Sequence, residues 1–186
     1  LGKNKKDRAS QICINSWNSI LKKYEIIEWN EDNLPLDDIA KRNRFFNFCR
    51  KYKLWAFMSD YLRLWILYNE GGIYMDTDVQ VFKPFDELLE NNMFLGYELN
   101  GYIGTGIIGA EKGNLLVKEL LDFYTDKIWE VDYYNNPIIF SNVLEENPKL
   151  RDCCTLLDRN ILSPYDPFRQ YKNDTVQTDV TYTIHW

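Results

Sequence analysis

Two carboxylates separated by one residue follow a short apolar run. Asp76 and Asp78 flank Thr77, directly after residues 73–75. Residues i and i+2 of an extended chain share a face, so both carboxylates can reach one ligand. Magnesium and manganese are commonly held by one or two carboxylates, with phosphate oxygens completing the coordination shell. The spacing indicates a divalent-cation site for a phosphorylated substrate, and a solvated acidic turn is the alternative that the spacing alone leaves open.

A second charged pair lies upstream in a segment that carries no other charge. Between residues 54 and 69, Asp60 and Arg63 are the only charged side chains. Their spacing places them on one face of a helix, and buried charge is costly unless it is paired or binds a ligand. Two interpretations follow. The pair seals the core, or it hydrogen-bonds a polyhydroxylated ligand beside the cation site.

One histidine and three glycines complete the candidates. His185 is the only histidine and stands next to the last residue. A terminal histidine is commonly a surface residue, although imidazole is also a common metal ligand. Gly104, Gly106 and Gly109 interrupt an apolar run with a strand pattern, where glycine weakens a strand. They indicate bends or the close approach of a ligand.

Helical and strand patterns alternate along the chain, which predicts an α/β fold. Residues 24–29 are predicted to form a buried strand because their centre is β-branched. Gly71 is predicted to end the central helix in a left-handed conformation, and Asn136 and Pro137 to open a later helix as its N-cap and first residue. Helices are predicted over residues 9–24, from 35 past 49, and over 54–70, 85–91, 114–131 and 136–146, and further strands over 73–75, 79–82, 93–97 and 103–110.

Composition favours a single folded domain over residues 1–186 that does not bind nucleic acid. A hydrophobic content of 45% excludes the disordered class. A net charge of −6 disfavours attraction to a nucleic-acid backbone. The four cysteines lack metal-ligand spacing and are expected to be reduced, which favours a cytoplasmic protein. No run is long enough for a membrane span, and the basic start LGKNKK leaves open peripheral association with the inner face of a membrane.

Together these patterns resemble a known signature. The run SDYLR at residues 59–63, followed by GGIYMDTDV at residues 71–79, is similar to the motif of glycosyltransferase family 32, the DXD-containing sugar transferases of the capsular-polysaccharide type. The similarity extends to residues 16–17, 24–30, 101–113 and 182–185. The resemblance implies a GT-A fold with a central, mixed and mostly parallel sheet flanked by helices. It also implies a nucleotide-sugar donor and a divalent cation.

The resemblance implies that the metal, Mn or Mg, is held by Asp76, Asp78 and His185. Asp76 and Asp78 would also hold the ribose-phosphate side of the donor, with Asp78 the stronger candidate for direct coordination. The cation would neutralise charge on the departing diphosphate. Comparison with the family pattern further implies a chain truncated at both ends. A first strand is expected before Leu1 and further residues after Trp186, so nucleoside-base contacts are not assigned.

The resemblance also assigns the donor sugar. Asp60 and Arg63 match the pair that binds its hydroxyl groups. Together with Asp76 and Asp78 they form the predicted catalytic set. Gly104, Thr105 and Gly106 match the strand that passes beside the sugar and faces the acceptor.

We therefore expect a metal-dependent, retaining hexosyltransferase. Its donor would be a UDP-hexose, with GDP-mannose as the second choice. Its acceptor would be a glycan or a lipid-linked saccharide in bacterial capsular or surface polysaccharide synthesis. The motif contains no spare carboxylate that would act as a covalent nucleophile, which favours front-face substitution with the leaving phosphate deprotonating the acceptor. A metal-dependent phosphohydrolase of nucleotide sugars and a non-catalytic glycan- or nucleotide-binding module remain the alternatives.

Overall fold

The computed structural model describes residues 6–171 and 176–186, and these contain helices and strands in alternation. Residues 1–5 of the basic start lie outside the described residues, so its proposed membrane contact stays a prediction. The helices are α1 (Arg8–Ile20), α2 (Leu36–Arg42), α3 (Arg44–Lys51), α4 (Trp55–Glu70), α5 (Leu115–Asp126), α6 (Asn136–Glu146) and α7 (Arg159–Leu162). The strands are β1 (Gly72–Met75), β2 (Val79–Val81), β3 (Met93–Tyr97), β4 (Ile103–Ala110), β5 (Thr155–Leu157) and β6 (Thr183–His185).

The strands form a main sheet in the order β1-β4-β3-β5 and a separate pair, β2-β6. This mixed sheet with flanking helices confirms the predicted α/β class. The prediction that the sheet is mostly parallel is wrong for the described strands. Only β3 and β5 pair in parallel, whereas β1–β4, β3–β4 and β2–β6 are antiparallel. The link between β3 and β4 spans only residues 98–102, which is too short for the crossover that a parallel pair requires.

Alternate residues of β3 face two different apolar clusters. Met93 and Leu95 pack with α4, α5 and α6 in the larger cluster. Phe94 packs in the second cluster with Trp17 of α1 and Phe85. Successive side chains of a strand point to opposite faces, so the main sheet separates two cores. Helices cover one face, while α1 and the β2-β6 pair cover the other.

The central helix and the strand that follows it form as predicted. Within α4, buried side chains occur on nearly every face, from Met58 to Leu67. Gly71 ends the helix with φ of 71°. A Cβ there would lie 2.7 Å from the Lys112 backbone nitrogen, so glycine is required for both conformation and space. No helix in the described ranges combines the length and hydropathy needed to cross a membrane.

The predicted buried strand at residues 24–29 is wrong. This segment has no regular secondary structure, and Ile26 and Ile27 are 41% and 51% exposed. A β-branched run becomes a strand only where a neighbour supplies hydrogen bonds and a packed face, and no described strand pairs with it. Helix α1 accordingly ends at Ile20, four residues before the predicted limit.

Four details of the helices also differ from the predictions. Asn43 divides the second predicted helix into α2 and α3, because its extended backbone and its side-chain bond from the Phe46 N–H make it an N-cap. Asn135, rather than Asn136, caps α6 through the Ile138 N–H. Helix α5 ends at Asp126. The short helix predicted over residues 85–91 is reduced to a 3₁₀ turn at Leu88–Glu90.

Gly109 is expected to be essential for sheet packing. A Cβ at this position would overlap the ring of Phe94 on the paired strand. We predict that Gly109→Ala lowers the free energy of unfolding by about 1–3 kcal/mol, the usual cost of overpacking, as measured by urea denaturation. Combining it with Phe94→Leu should cost less than the sum of the two single changes. Wild-type stability of Gly109→Ala, or strict additivity, would contradict this role.

Candidate active site

The three predicted metal ligands come together in space. One ligand atom from each of Asp76, Asp78 and His185 lies within 4.8 Å of the other two. The two carboxylates lie between β1 and β2, and Val79 of β2 pairs with His185 of β6. The antiparallel β2-β6 pair therefore carries the end of the chain to the acidic turn. Their role as ligands stays a prediction, although two carboxylates and one imidazole are a suitable donor set for a divalent cation.

Asp78 and His185 interact directly, with 3.3 Å between Asp78 Oδ1 and His185 Nε2. The hydrogen bond to His185 lowers the pKa of Asp78, and the same bond raises the pKa of His185. In the absence of a cation, the charged form of each side chain thus favours the charged form of the other. A metal requires the neutral imidazole, so cation and proton would compete for this side chain.

Gly106 provides the space that His185 occupies. A Cβ on Gly106 would lie 2.8 Å from His185 Cε1, closer than real Cβ contacts. At Gly104, a Cβ would lie 3.3 Å from the Gly96 carbonyl oxygen and 3.5 Å from the side chain of Glu98. These glycines therefore accommodate protein groups next to the cation site. The predicted contact of Gly104, Thr105 and Gly106 with the donor sugar stays a prediction.

Arg63 links the central helix to the acidic turn and to β4. Its guanidinium lies 2.8 Å from Asp60 Oδ1 and 3.2 Å from Asp76 Oδ2, and it donates to the Thr105 carbonyl oxygen at 2.6 Å. It also lies over the ring of Tyr74, 4.7 Å from the centroid. The side chain is only 6% exposed, so removing it would leave two carboxylates without their buried counter-charge.

Asp76 is held on both oxygens. Tyr74, two residues earlier in β1, donates its hydroxyl to Asp76 Oδ1 at 2.6 Å, while Arg63 pairs with Oδ2. The Asp76 N–H also donates to the Gly106 carbonyl oxygen. Asp78 is bound only by His185 through its side chain among the described residues. Asp78 is thus the freer carboxylate, and its stronger part in direct coordination stays a prediction.

Asp60 is a carboxylate whose side chain is 16% exposed. Burial raises its pKa to about 6, against the opposing effects of Arg63 and of a hydrogen bond from the Asn136 backbone. Its Oδ1 pairs with Arg63. Asn136 donates to its backbone carbonyl and accepts from the buried Tyr124 hydroxyl. Helices α5 and α6 thereby fix the position of Asp60 from behind.

Two residues of the site were missed from the sequence. Tyr74 positions Asp76, and the alternation of a strand places both on one face, so the pattern contained this signal. Glu98 follows β3 and lies beside Gly104, with its pKa raised by burial and opposed by the charge of His185. It lies outside the DXD motif, in a link that sequence patterns mark only as a turn. No sequence signal pointed to it.

These features match a known family and fold. Residues 7–95 match the family described as "Glycosyltransferase sugar-binding region containing DXD motif". The solved structure of the PaToxG glycosyltransferase has a similar fold, with a TM-score of 0.61 and 16% sequence identity over 81% of this chain and 69% of that chain. Residues 7–95 thus resemble the DXD-containing glycosyltransferase region, and the fold is of the GT-A type, as predicted. These matches support the predicted transferase class, and membership of family 32 stays a prediction.

Two relatives share part of this region. Glucan organizing enzyme 1 of Cryptococcus neoformans var. grubii is 47% identical over 49 residues, which are 26% of this chain and 13% of that protein. Subversion of eukaryotic traffic protein A of Legionella pneumophila is 38% identical over 73 residues, which are 37% of this chain and 11% of that protein. The chain thus matches only a small part of the length of either relative.

The single histidine allows a direct test of the Asp78–His185 pair. In metal-free protein we predict an imidazole pKa above the ordinary value of about 6.5, because the negative Asp78 favours the imidazolium. Asp78→Asn should lower this pKa, as measured by NMR titration of the one histidine. The pair should stabilise the fold below the unfolded-state pKa of histidine and lose this effect as pH rises through the raised folded-state value. An unchanged pKa in Asp78→Asn would contradict the pairing.

Proposed function

We propose that this protein is a manganese-dependent glycosyltransferase that moves a hexose from a nucleoside diphosphate sugar to a glycan acceptor. The observation that carries the proposal is the convergence of Asp76, Asp78 and His185 beside the buried Arg63–Asp60 pair. A cation site and a group able to bind sugar hydroxyls thus lie next to each other. A donor that joins a diphosphate to a sugar needs both.

The donor set supports manganese over magnesium. Magnesium prefers an all-oxygen shell with near-ideal octahedral geometry. An imidazole among the ligands favours a somewhat softer ion, while the carboxylates remain suitable for manganese. Asp78 and His185 would hold this ion directly, and Asp76 would complete the set while it stays attached to Tyr74 and Arg63. The bound cation would supply charge stabilisation for the diphosphate leaving group.

Asp60 and Arg63 have different parts in this proposal. The guanidinium of Arg63 already contacts Asp60, Asp76 and the Thr105 carbonyl, so its main part is to hold the two carboxylates in place. The Asp60 side chain is 16% exposed, and a carboxylate with a pKa of about 6 is ionised at neutral pH. We assign to it the acceptance of hydrogen bonds from the donor sugar. The backbone of residues 104–106 would pass beside the same sugar.

The acceptor side is assigned to Glu98. This carboxylate lies over Gly104, two residues along β4 from the glycine that faces His185. Residues i and i+2 of a strand share a face, so Glu98 and His185 are neighbours, and the raised pKa of Glu98 reflects its partial burial. It would orient the attacking hydroxyl. Retention by front-face substitution, and a part in bacterial surface polysaccharide synthesis, rest on the family resemblance.

Binding of donors tests the proposal most directly. Calorimetric titration with UDP-glucose, UDP-galactose and GDP-mannose should show binding that increases with manganese for at least one donor, with a UDP-hexose expected. Asp78→Ala should remove the manganese-dependent part, because it deletes the freer carboxylate. Asp152→Ala removes an exposed aspartate elsewhere and should change nothing. Absence of cation-dependent binding of any donor would refute the transferase, and diphosphate cleavage without transfer to any acceptor would favour a phosphohydrolase.

Glu98→Gln provides a separate test of the acceptor side. It preserves shape but removes the negative charge that would accept a hydrogen bond from the attacking hydroxyl. Transfer should fall by roughly 10- to 100-fold, which corresponds to the loss of one hydrogen bond to a charged group. Manganese-dependent donor binding should stay at the wild-type level. The exposed Glu111 offers a matched control as Glu111→Gln. Equal loss of donor binding and transfer would place Glu98 on the donor side instead.

A further inference from the structure

One stretch of this acidic protein is strongly basic. Residues 39–59 contain six lysines and arginines and no aspartate or glutamate, whereas the whole chain has a net charge of −6. Arg50 pairs with Asp37, and Lys41 pairs with Asp38. The remaining four make no ion pair with any described residue: Arg42, Arg44, Lys51 and Lys53. The stretch therefore presents positive charge that the described fold does not neutralise.

Large aromatic side chains are exposed in the same place. Phe48, Tyr52 and Trp129 are 42%, 55% and 40% exposed. Phe48 packs against both others, with ring centroids 4.7 Å from Tyr52 and 5.6 Å from Trp129. Arg44 lies over the ring of Trp129, and Lys51 lies over the ring of Tyr52. We call these five residues the aromatic-basic patch.

The chain continues from this patch as an exposed segment that joins α3 to α4. All residues from 51 to 56 are exposed, including Leu54 and Trp55. Lys53 has φ of 56°, and the turn at residues 52–54 carries the chain from α3 into α4. Asp60 lies five residues after Trp55 on α4, which is roughly 7.5 Å along a helix axis. The end of the exposed segment and the proposed sugar site are thus on one helix.

We propose that the aromatic-basic patch and the exposed segment 51–56 dock on a membrane surface rich in anionic lipid. Tryptophan and tyrosine favour the level of the lipid head groups, and each lysine or arginine near an anionic surface adds to the attraction. Exposed apolar residues that are grouped together indicate an interaction surface rather than a surface that only faces water. The unpaired positive charges beside them complement anionic lipid. Docking here would hold the sugar site close to a lipid-linked acceptor.

The contacts within the patch favour lipid over a free glycan. Sugars stack on open aromatic faces, but a cation already covers a face of Trp129 and of Tyr52. Phe48 packs edge-on against Trp129 at 89° and fills the space between the two rings. The charged groups of the patch are a guanidinium and an ammonium, which match lipid phosphates. Docking does not require the proposed transferase activity, so the two can be tested separately.

Co-sedimentation with vesicles tests the docking. The protein should bind vesicles of phosphatidylcholine mixed with phosphatidylserine, bind phosphatidylcholine alone far less, and be released by salt. The double change Arg44→Gln with Lys51→Gln should weaken binding by about 25-fold, from about five-fold for each charge. The matched control, Lys22→Gln with Lys149→Gln, removes two exposed charges elsewhere and should have little effect.

A second pair of variants tests the aromatic part. Tyr52→Ser with Trp55→Ser should weaken vesicle binding at constant charge, whereas Phe168→Ser, at a 91% exposed ring, should not. Unchanged melting temperature and donor binding would show that the fold is intact. No binding to anionic vesicles, or equal effects of patch and control variants, would overturn the proposal. Capture of a soluble glycan or a protein by the patch, without vesicle binding, would overturn it in favour of that partner.

Discussion

The site depends on the buried guanidinium of Arg63. Asp60 belongs to α4, Asp76 follows β1, and Thr105 belongs to β4, yet all three contact this one group. Two carboxylates this close would repel each other in a partly buried cleft, so their positions require a positive charge between them. Arg63 supplies it with donors directed to several acceptors at once, which a lysine does not. A helix, a loop and a strand are thereby held in one geometry.

The sequence left open whether Asp60 and Arg63 seal the core or bind a ligand, and this arrangement is compatible with both interpretations. The ion pair is structural, because it is buried and connects elements of the fold. It also shapes the site, since Arg63 and Tyr74 together fix the Asp76 carboxylate. In the proposed function, Arg63 has the structural part and Asp60 the ligand-binding part. A buried salt bridge that stabilises little by itself can in this way determine the geometry of a site.

Local patterns predicted the elements that carry their own signal. Helix α4, β1 and β3 lie almost where apolar runs, Gly71 and alternation placed them, because their burial makes the pattern nearly continuous. Residues 24–29 were predicted wrongly, since a strand needs a partner that no local pattern can reveal. The division at Asn43 was missed because helical periodicity continues across it. There a single side-chain cap outweighs the pattern.

The residues of the site were also predictable to different degrees, according to whether their positions follow from local spacing or from pairing between distant strands. The DXD spacing and the Asp60–Arg63 spacing are local, so the sequence indicated them directly. His185 was assigned only through the family resemblance, because its approach depends on the pairing of β2 with β6. Glu98 was missed altogether. Its position follows from the hairpin of β3 and β4 and from the open face of Gly104, which become visible only in three dimensions.

The pairing of β2 with β6 makes the proposed cation site a property of the whole domain. Asp78 and His185 are more than a hundred residues apart in the chain, so their approach requires that the intervening elements have folded. Cation affinity is consequently coupled to global stability rather than to a local loop. A substitution deep in either core, far from any ligand, can therefore weaken metal binding by lowering the population of the folded state. Conversely, a saturating cation would stabilise the entire domain against unfolding, and its removal would reverse this effect.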